Sequence, residues 1–162
     1  MSTFATLIKL YEFNRTRTLS VLDRAEKAAN PRELLGWRPG AGRAHVAWQL
    51  MHIGITEEIF ATERLAPDKS GSFTELWPRF RGGSTPDDEI PSTDQIRRVL
   101  GEAREHLLDT LSRYSEDNLA DIPDALKERR LTLLNVLHIL NWHESHHQGQ
   151  AHITLNILEA GQ

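Results

Sequence analysis

The sequence predicts an all-α protein, a four-helix bundle. Four segments place apolar residues at three- and four-residue steps, which is the period of an amphipathic helix. No segment alternates apolar and polar residues as a half-buried strand does. The chain has 162 residues, 39% of them hydrophobic and 26% charged, which is ordinary for a globular protein. We therefore expect residues 1–162 to form one helical domain with a hydrophobic core of its own.

The first two predicted helices fill the N-terminal part of the chain. Helix one is expected at about residues 3–28, with Asn14 and Thr18 as polar exceptions on its apolar stripe. Helix two follows a Pro-Gly pair and is expected at about residues 43–65. Its apolar residues occupy a wider arc than the roughly 100° of an ordinary surface helix. Either the connection that follows it or a second copy of the chain must cover this face, and we expect a homodimer.

The last two predicted helices have recognisable starts. Ser92 and Gln95 have the spacing of a capping box, which predicts the start of helix three. Thr132 is the predicted N-cap of helix four, which runs to the end of the chain. Residues 66–91 are rich in proline and glycine, so they form a long crossover that can span a bundle. The predicted topology is up-down-down-up with helices two and three parallel; a plain up-and-down bundle with a long loop is the alternative.

Composition excludes several classes of function. The net charge of −4 and the lack of a basic segment interleaved with aromatic residues argue against nucleic-acid binding. The short basic segment at residues 127–130 is predicted to be solvated. The sequence has no cysteine, so it has no disulfide and no thiolate of its own. No signal peptide and no membrane span are recognised, and we expect a cytoplasmic protein.

Histidines carry the chemical signal of this sequence. Five of the eight histidines lie between residues 138 and 152. His143 and His147 are four residues apart, so both imidazoles lie on one face of helix four. That face continues the apolar stripe of the helix, and a buried polar group without a partner costs roughly 1–3 kcal/mol. A metal ion shared by the two rings satisfies both.

A third ligand is expected from helix two. His52 lies on its apolar stripe and is the best candidate, with His45 as the alternative ligand or a residue lining the pocket. Three histidines leave one coordination position open, which is typical of catalytic rather than structural zinc. His146 is offset by about 100° from His147 and is predicted to lie next to a ligand, outside the ligand set, or at the rim of the site.

Other residues near the predicted site receive structural interpretations. Trp48 and Trp142 are predicted in the core or at an interface. Gly149 is predicted to allow the close approach of a helix or ligand, or to relieve crowding in the core. The three remaining histidines are expected to face solvent or another helix; they are His106, His138 and His152.

The sequence resembles the DinB/YfiT-like family of metal-dependent four-helix-bundle enzymes, most clearly at two segments and also at residues 11–14 and in the crossover. Residues 48–53 read Trp-Gln-Leu-Met-His-Ile, and residues 143–150 read His-Glu-Ser-His-His-Gln-Gly-Gln. The resemblance covers nearly the whole chain. It implies that His52, His143 and His147 bind one divalent metal ion. Gln148 stands where the family often has arginine, so any contact of that arginine with an anionic substrate is absent here.

The resemblance also implies a class of reaction. Family members of known activity resemble transferases or isomerases that use a small thiol. We expect transfer of a small-molecule thiol to an electrophilic substrate; a metal-dependent hydrolase and a non-enzymatic metal-binding stress or interaction protein are the alternatives. Zinc is the expected ion, with nickel, iron and manganese as alternatives. Glu57, His45 and His146 are the candidate general acids or bases, and the residue types do not rank them.

Overall fold

The computed structural model describes residues 2–161, and none of these residues lies in a β-strand. The predicted all-α class is therefore confirmed. None of the described helices combines the length and the apolar character that crossing a membrane requires. Four of the α-helices are long and two are short: α1 Thr3–Glu26, α2 Pro31–Gly36, α3 Val46–Ile59, α4 Trp77–Phe80, α5 Thr93–Leu111 and α6 Leu133–Ala160.

The predicted starts of the third and fourth long helices are confirmed. The hydroxyl of Ser92 accepts a hydrogen bond from the backbone N–H of Gln95 at the start of α5. Only this half of the predicted capping box is found among the described hydrogen bonds. At the start of α6, Thr132 and Asn135 form both halves of such a box. These side chains satisfy backbone N–H groups that the first turn of a helix leaves free.

The second long helix differs from its prediction at both ends. It begins at Val46 rather than near residue 43, because the ring of His45 caps it by accepting a hydrogen bond from the N–H of Trp48 at 3.0 Å. After Ile59 the α-helix gives way to one turn of π-helix at Phe60–Arg64. Turns of π-helix are rare in proteins, and those that do occur are often found at functional sites.

Helices α1 and α6 pack side by side and share buried polar contacts. The hydroxyl of Tyr11 donates to the backbone oxygen of Leu137 at 2.9 Å, and the amide of Asn14 lies 3.2 Å from the side-chain oxygen of Asn141. Thr18 donates to a carboxylate of α6 at 2.8 Å. Asn14 and Thr18, the two polar residues on the apolar stripe of α1, are buried, and their hydrogen bonds to α6 compensate for the loss of water.

Helix α3 packs between α5 and α6. Gly54 allows the close approach of α5, because a Cβ at this position would lie 2.8 Å from the Cγ1 atom of Val99. The crossover covers another side of α3 with three buried side chains, Phe73, Leu76 and Phe80. The broad apolar arc of α3 is thus buried within one chain, and the predicted homodimer has no support from this face.

Candidate metal centre

The structure brings His52, His143 and His147 together between α3 and α6. Their nitrogen atoms that could bind an ion all lie within 4.8 Å of one another. The Nε2 atoms of His52 and His143 are 3.0 Å apart. His52 is buried and His147 is partly exposed, so the group can be reached from solvent on the His147 side.

The crossover orients the ring of His52. Its Nδ1 atom lies 2.6 Å from the backbone oxygen of Phe80. A carbonyl oxygen only accepts hydrogen bonds, so Nδ1 carries the proton and the lone pair on Nε2 points toward the other histidines. Trp48 stacks on the same ring at 4.5 Å between centroids, with an interplanar angle of 20°.

A glutamine on α3 orients the ring of His147 in the same way. The Nδ1 atom of His147 lies 2.5 Å from the Oε1 atom of Gln49. Because this oxygen accepts the Nδ1 proton, the Nε2 lone pair of His147 is also free. The Oγ1 atom of Thr56 lies 3.5 Å from Nε2 of His143. Two of the three rings are thus fixed as the tautomer that offers Nε2 to an ion.

The surroundings keep the three imidazoles neutral. Burial lowers the pKa of His143 to about 3, with further lowering by the charges of His52 and His146. Burial also lowers the pKa of His147 to about 3, and the neighbouring histidines add to the shift. For His52, burial lowers the pKa although the carbonyl of Phe80 favours the charged ring. Neutral imidazole is the form that binds metal ions.

The spacing of the His52 and His143 donors is that of two ligands on one metal ion. Tetrahedral zinc with Zn–N distances of roughly 2.0–2.1 Å places two nitrogen ligands about 3.3 Å apart. The 3.0 Å separation of the His52 and His143 Nε2 atoms is close to this value. Three imidazole donors occupy three positions of such a site and leave the fourth to an external ligand.

The histidines open into a cavity of about 420 Å³. Its wall has an apolar part, formed by Ile59, Phe60 and Leu126, and a basic part. The basic part is formed by three arginines, Arg64, Arg81 and Arg129, and no lining residue is acidic. The volume falls within the roughly 300–1,000 Å³ typical of small-molecule sites.

Two of the predicted candidates for proton transfer do not line the cavity, although the ring of His146 meets the ring of His147 edge-on at 5.0 Å between centroids. His45 caps α3, and its Nε2 atom lies 3.0 Å from the backbone oxygen of Asp87, so it neither joins the ligand cluster nor lines the cavity. His146 is exposed and stacks on Trp142 at 5.0 Å between centroids, consistent with the predicted rim position. The prediction of a core position is wrong for Trp142, because its side chain is 62% exposed in the single chain; an interface position stays a prediction.

Glu57 is not available as a general acid or base. Its carboxylate is buried between the guanidinium groups of Arg15 and Arg104, and these also contact Glu144. Burial raises the pKa of Glu57, but the two arginine charges outweigh it and hold that pKa below its ordinary value. The four side chains form a closed ion network with two positive and two negative charges.

The remaining predictions have mixed outcomes. His138 and His152 are exposed and His106 is half-buried, as expected for residues outside the site. Gly149 is exposed, and a Cβ there would meet no heavy atom within 4 Å. Neither the close approach of a helix nor relief of crowding therefore explains Gly149. All of residues 127–130 are exposed, as predicted, but Arg129 also lines the cavity.

Two comparisons with known proteins bear on the family of this chain. A search of curated proteins found no match. A family model described as the DinB superfamily matches residues 10–151, which include all three clustered histidines. Because the match covers most of the 162 residues, this chain belongs to the DinB superfamily.

Proposed function

We propose that this protein is a metal-dependent enzyme that transfers a small-molecule thiol to an electrophilic substrate. The observation that carries the proposal is the convergence of His52, His143 and His147 within 4.8 Å. The Nδ1–H groups of His52 and His147 are held by carbonyl oxygens of Phe80 and Gln49. Metal-binding histidines almost always have such a partner, because it fixes the tautomer and the ring orientation.

The chemistry follows from the ligand set and the composition. A divalent ion held by three imidazoles, with zinc proposed and nickel, iron or manganese as alternatives, favours the deprotonated form of a thiol or water in its open position. The chain has no cysteine, so the thiol must belong to a small co-substrate. The cavity next to the three rings has room for both reacting groups.

The residues around the cavity favour thiol transfer over hydrolysis. Hydrolysis generally needs a positioned acid or base to move protons to and from the reacting groups. No carboxylate lines the cavity, and Glu57 is enclosed by two arginines. The ion supplies a deprotonated nucleophile in either reaction, but cleavage of an ester or amide also needs a proton donor for the leaving group, and no carboxylic acid of the cavity wall can act as one. A thiolate that adds to an electrophile without a leaving group needs no such donor. The site is therefore better suited to delivering a thiolate than to activating water for hydrolysis.

Cobalt substitution tests the proposal directly. Untagged protein purified from its own host is first assayed for metal content, and the ion is then replaced by Co²⁺. A low-molecular-weight thiol should change the visible absorption of the cobalt protein, and His143→Ala should abolish both the spectrum and the change. A bound ion that responds to no thiol would contradict the proposal and favour the non-enzymatic alternative. Turnover of an ester or amide without thiol would favour the hydrolase.

We also propose the up-down-down-up arrangement within one domain of residues 1–162. Contacts between α1 and α6 support this arrangement. Tyr11 bonds to Leu137 and Thr18 bonds to Glu144, so residue numbers rise in the same direction along both helices, and the two helices are parallel. Helices α3 and α6 are antiparallel, because Gln49 contacts His147 whereas the later residue Thr56 contacts the earlier residue His143.

A homodimer is a separate proposal. It requires a sedimentation mass of twice 18.5 kDa, and the mass of one chain would contradict it.

A further inference from the structure

The arginines beside the three histidines come from three separate parts of the chain. Arg64 ends the π-helix at Phe60–Arg64, Arg81 follows α4, and Arg129 lies between the short 3₁₀ helix at Asp124–Leu126 and α6. All three line one cavity with the clustered histidines. The fold therefore gathers positive charge at this place from segments that are distant in sequence.

These arginines differ from most others in the protein in having few partners. Arg81 and Arg129 form no ion pair with any residue in 2–161, and the carboxylate nearest to Arg64 is that of Glu63, at 4.0 Å. Seven other arginines form an ion pair at 3.0 Å or less; they are Arg15, Arg24, Arg38, Arg79, Arg97, Arg104 and Arg113. The three cavity arginines thus keep hydrogen-bond donors for a ligand.

The charge around the cavity is opposite in sign to that of the whole chain. The protein has a net charge of −4, yet the cavity wall contains three arginines and no acidic residue. A cleft lined by charges of one sign concentrates ligands of the opposite sign. The planar guanidinium group matches the two oxygens of a carboxylate, with which it forms paired hydrogen bonds.

We propose that the electrophilic substrate is a small organic acid whose carboxylate is bound by Arg64, Arg81 and Arg129, while the thiolate attacks a separate electrophilic carbon of the same molecule. Ile59, Phe60 and Leu126 then contact its apolar part. This assignment rests on the proposed function, because it names the substrate class of the same site. The cavity of about 420 Å³ limits the ligand to the size of a small metabolite.

Calorimetric titration with benzoate and with the neutral analogue benzamide tests this proposal. Wild-type protein, in metal-free and zinc-treated form, should bind benzoate at least about tenfold more tightly than benzamide, since a charged hydrogen bond contributes more than a neutral one. The Arg81→Met/Arg129→Met variant should lose at least about tenfold in benzoate affinity. Arg17→Met is the matched control, because Arg17 is exposed and lies outside the cavity wall, and it should stay within about twofold of wild type.

Zinc stoichiometry and thermal unfolding are measured on the same samples. Equal affinity for benzoate and benzamide, or unchanged benzoate affinity in the folded double variant, would overturn the carboxylate assignment. Stoichiometric zinc binding without benzoate binding would do the same and leave the metal site intact. Benzoate binding by a wild-type protein that takes up no zinc would instead refute the proposed function and support the anion site. The single variants Arg81→Gln and Arg129→Gln replace the double variant if it does not fold.

Discussion

The Oε1 atom of Gln49 lies 2.5 Å from the Nδ1 atom of His147, so a side chain on α3 sets the orientation of a ring on α6. Gln49 is 7% exposed, and it is buried at the same helix contact that holds His52. The pair therefore links the packing of α3 against α6 to the direction of the His147 lone pair.

Replacing Gln49 with leucine should weaken metal binding without removing a ligand. Loss of such an outer hydrogen bond typically costs about 10–100-fold in metal affinity. Competition with a chelator of known affinity measures the effect. Gln150→Leu is the matched control, because Gln150 bonds to the exposed His146 rather than to a member of the cluster. Equal affinities for the two variants would contradict the assigned role of Gln49.

Removing a clustered histidine should abolish stoichiometric metal binding. His52→Ala, His143→Ala and His147→Ala each delete one of three converging donors, and two histidines hold a divalent ion far more weakly than three. His106→Ala and His138→Ala should retain the ion. Metal analysis after dialysis measures the outcome. Full occupancy in the His143→Ala/His147→Ala double variant would show that the ion binds elsewhere.

The buried rings should make the metal-free protein less stable in acid. The native pKa of His143 and of His147 is about 3, whereas an unfolded histidine has a pKa of roughly 6.5. The unfolded chain therefore binds more protons between these values, and the free energy of unfolding falls as pH falls below about 6.5. Above that pH both rings are neutral in the folded and the unfolded protein, so their contribution to the free energy of unfolding is fully present.

Urea unfolding of chelator-treated protein between pH 7 and pH 4.5 measures this decline. The His143→Gln/His147→Gln variant lacks both titrating rings, so its urea midpoint should fall less steeply over the same range. An identical decline in wild type and variant would mean that the two histidines are not held neutral in the folded protein.

The ion network of Arg15, Arg104, Glu57 and Glu144 should stabilise the fold rather than take part in the reaction. Removing one partner of a buried ion pair leaves an uncompensated charge and costs about 3–5 kcal/mol. We expect a loss of this size for Glu57→Leu, which leaves two arginines facing one carboxylate. Urea unfolding measures it.

Glu63→Leu is the control for Glu57→Leu. The Glu63 side chain is 43% exposed, and its nearest cation is 4.0 Å away, so its removal should change the free energy of unfolding by less than about 1 kcal/mol. Similar values for the two variants would contradict the structural role of the network.

The sequence was sufficient to pair His143 with His147 because their signal is local, whereas the choice of His52 over His45 depended on the apolar stripe of helix two and on the family resemblance. Four-residue spacing places His143 and His147 on one helical face whatever the rest of the fold. The partners of these rings could not be found in this way. One is the backbone oxygen of Phe80, which has no sequence signature, and the other is Gln49, whose role depends on how α3 packs against α6.

The charged residues of the interior were harder to predict. Arginine and glutamate are almost never fully buried unless paired, so Arg15 and Glu57 look like surface residues until α5 and α6 bring their partners. The sequence signal for a buried polar network was the presence of Asn14 and Thr18 on the apolar stripe of α1, since Thr18 bonds to Glu144 of this network. The arginines of the cavity have no common spacing and could only be grouped in three dimensions.

Replacing a glycine of a long helix with alanine should destabilise the protein at Gly54 and stabilise it at Gly101 and Gly149. A Cβ at Gly54 would lie 2.8 Å from Val99, and so we expect Gly54→Ala to lower the free energy of unfolding by about 1–3 kcal/mol through overpacking. A Cβ at Gly101 or Gly149 would meet no heavy atom within 4 Å. There alanine only removes the cost of glycine in a helix, so each change should stabilise the protein by up to about 1 kcal/mol. Urea unfolding of the three variants tests both signs. Destabilisation by Gly149→Ala would show that a contact absent from the single chain, such as a second copy, covers this side of α6.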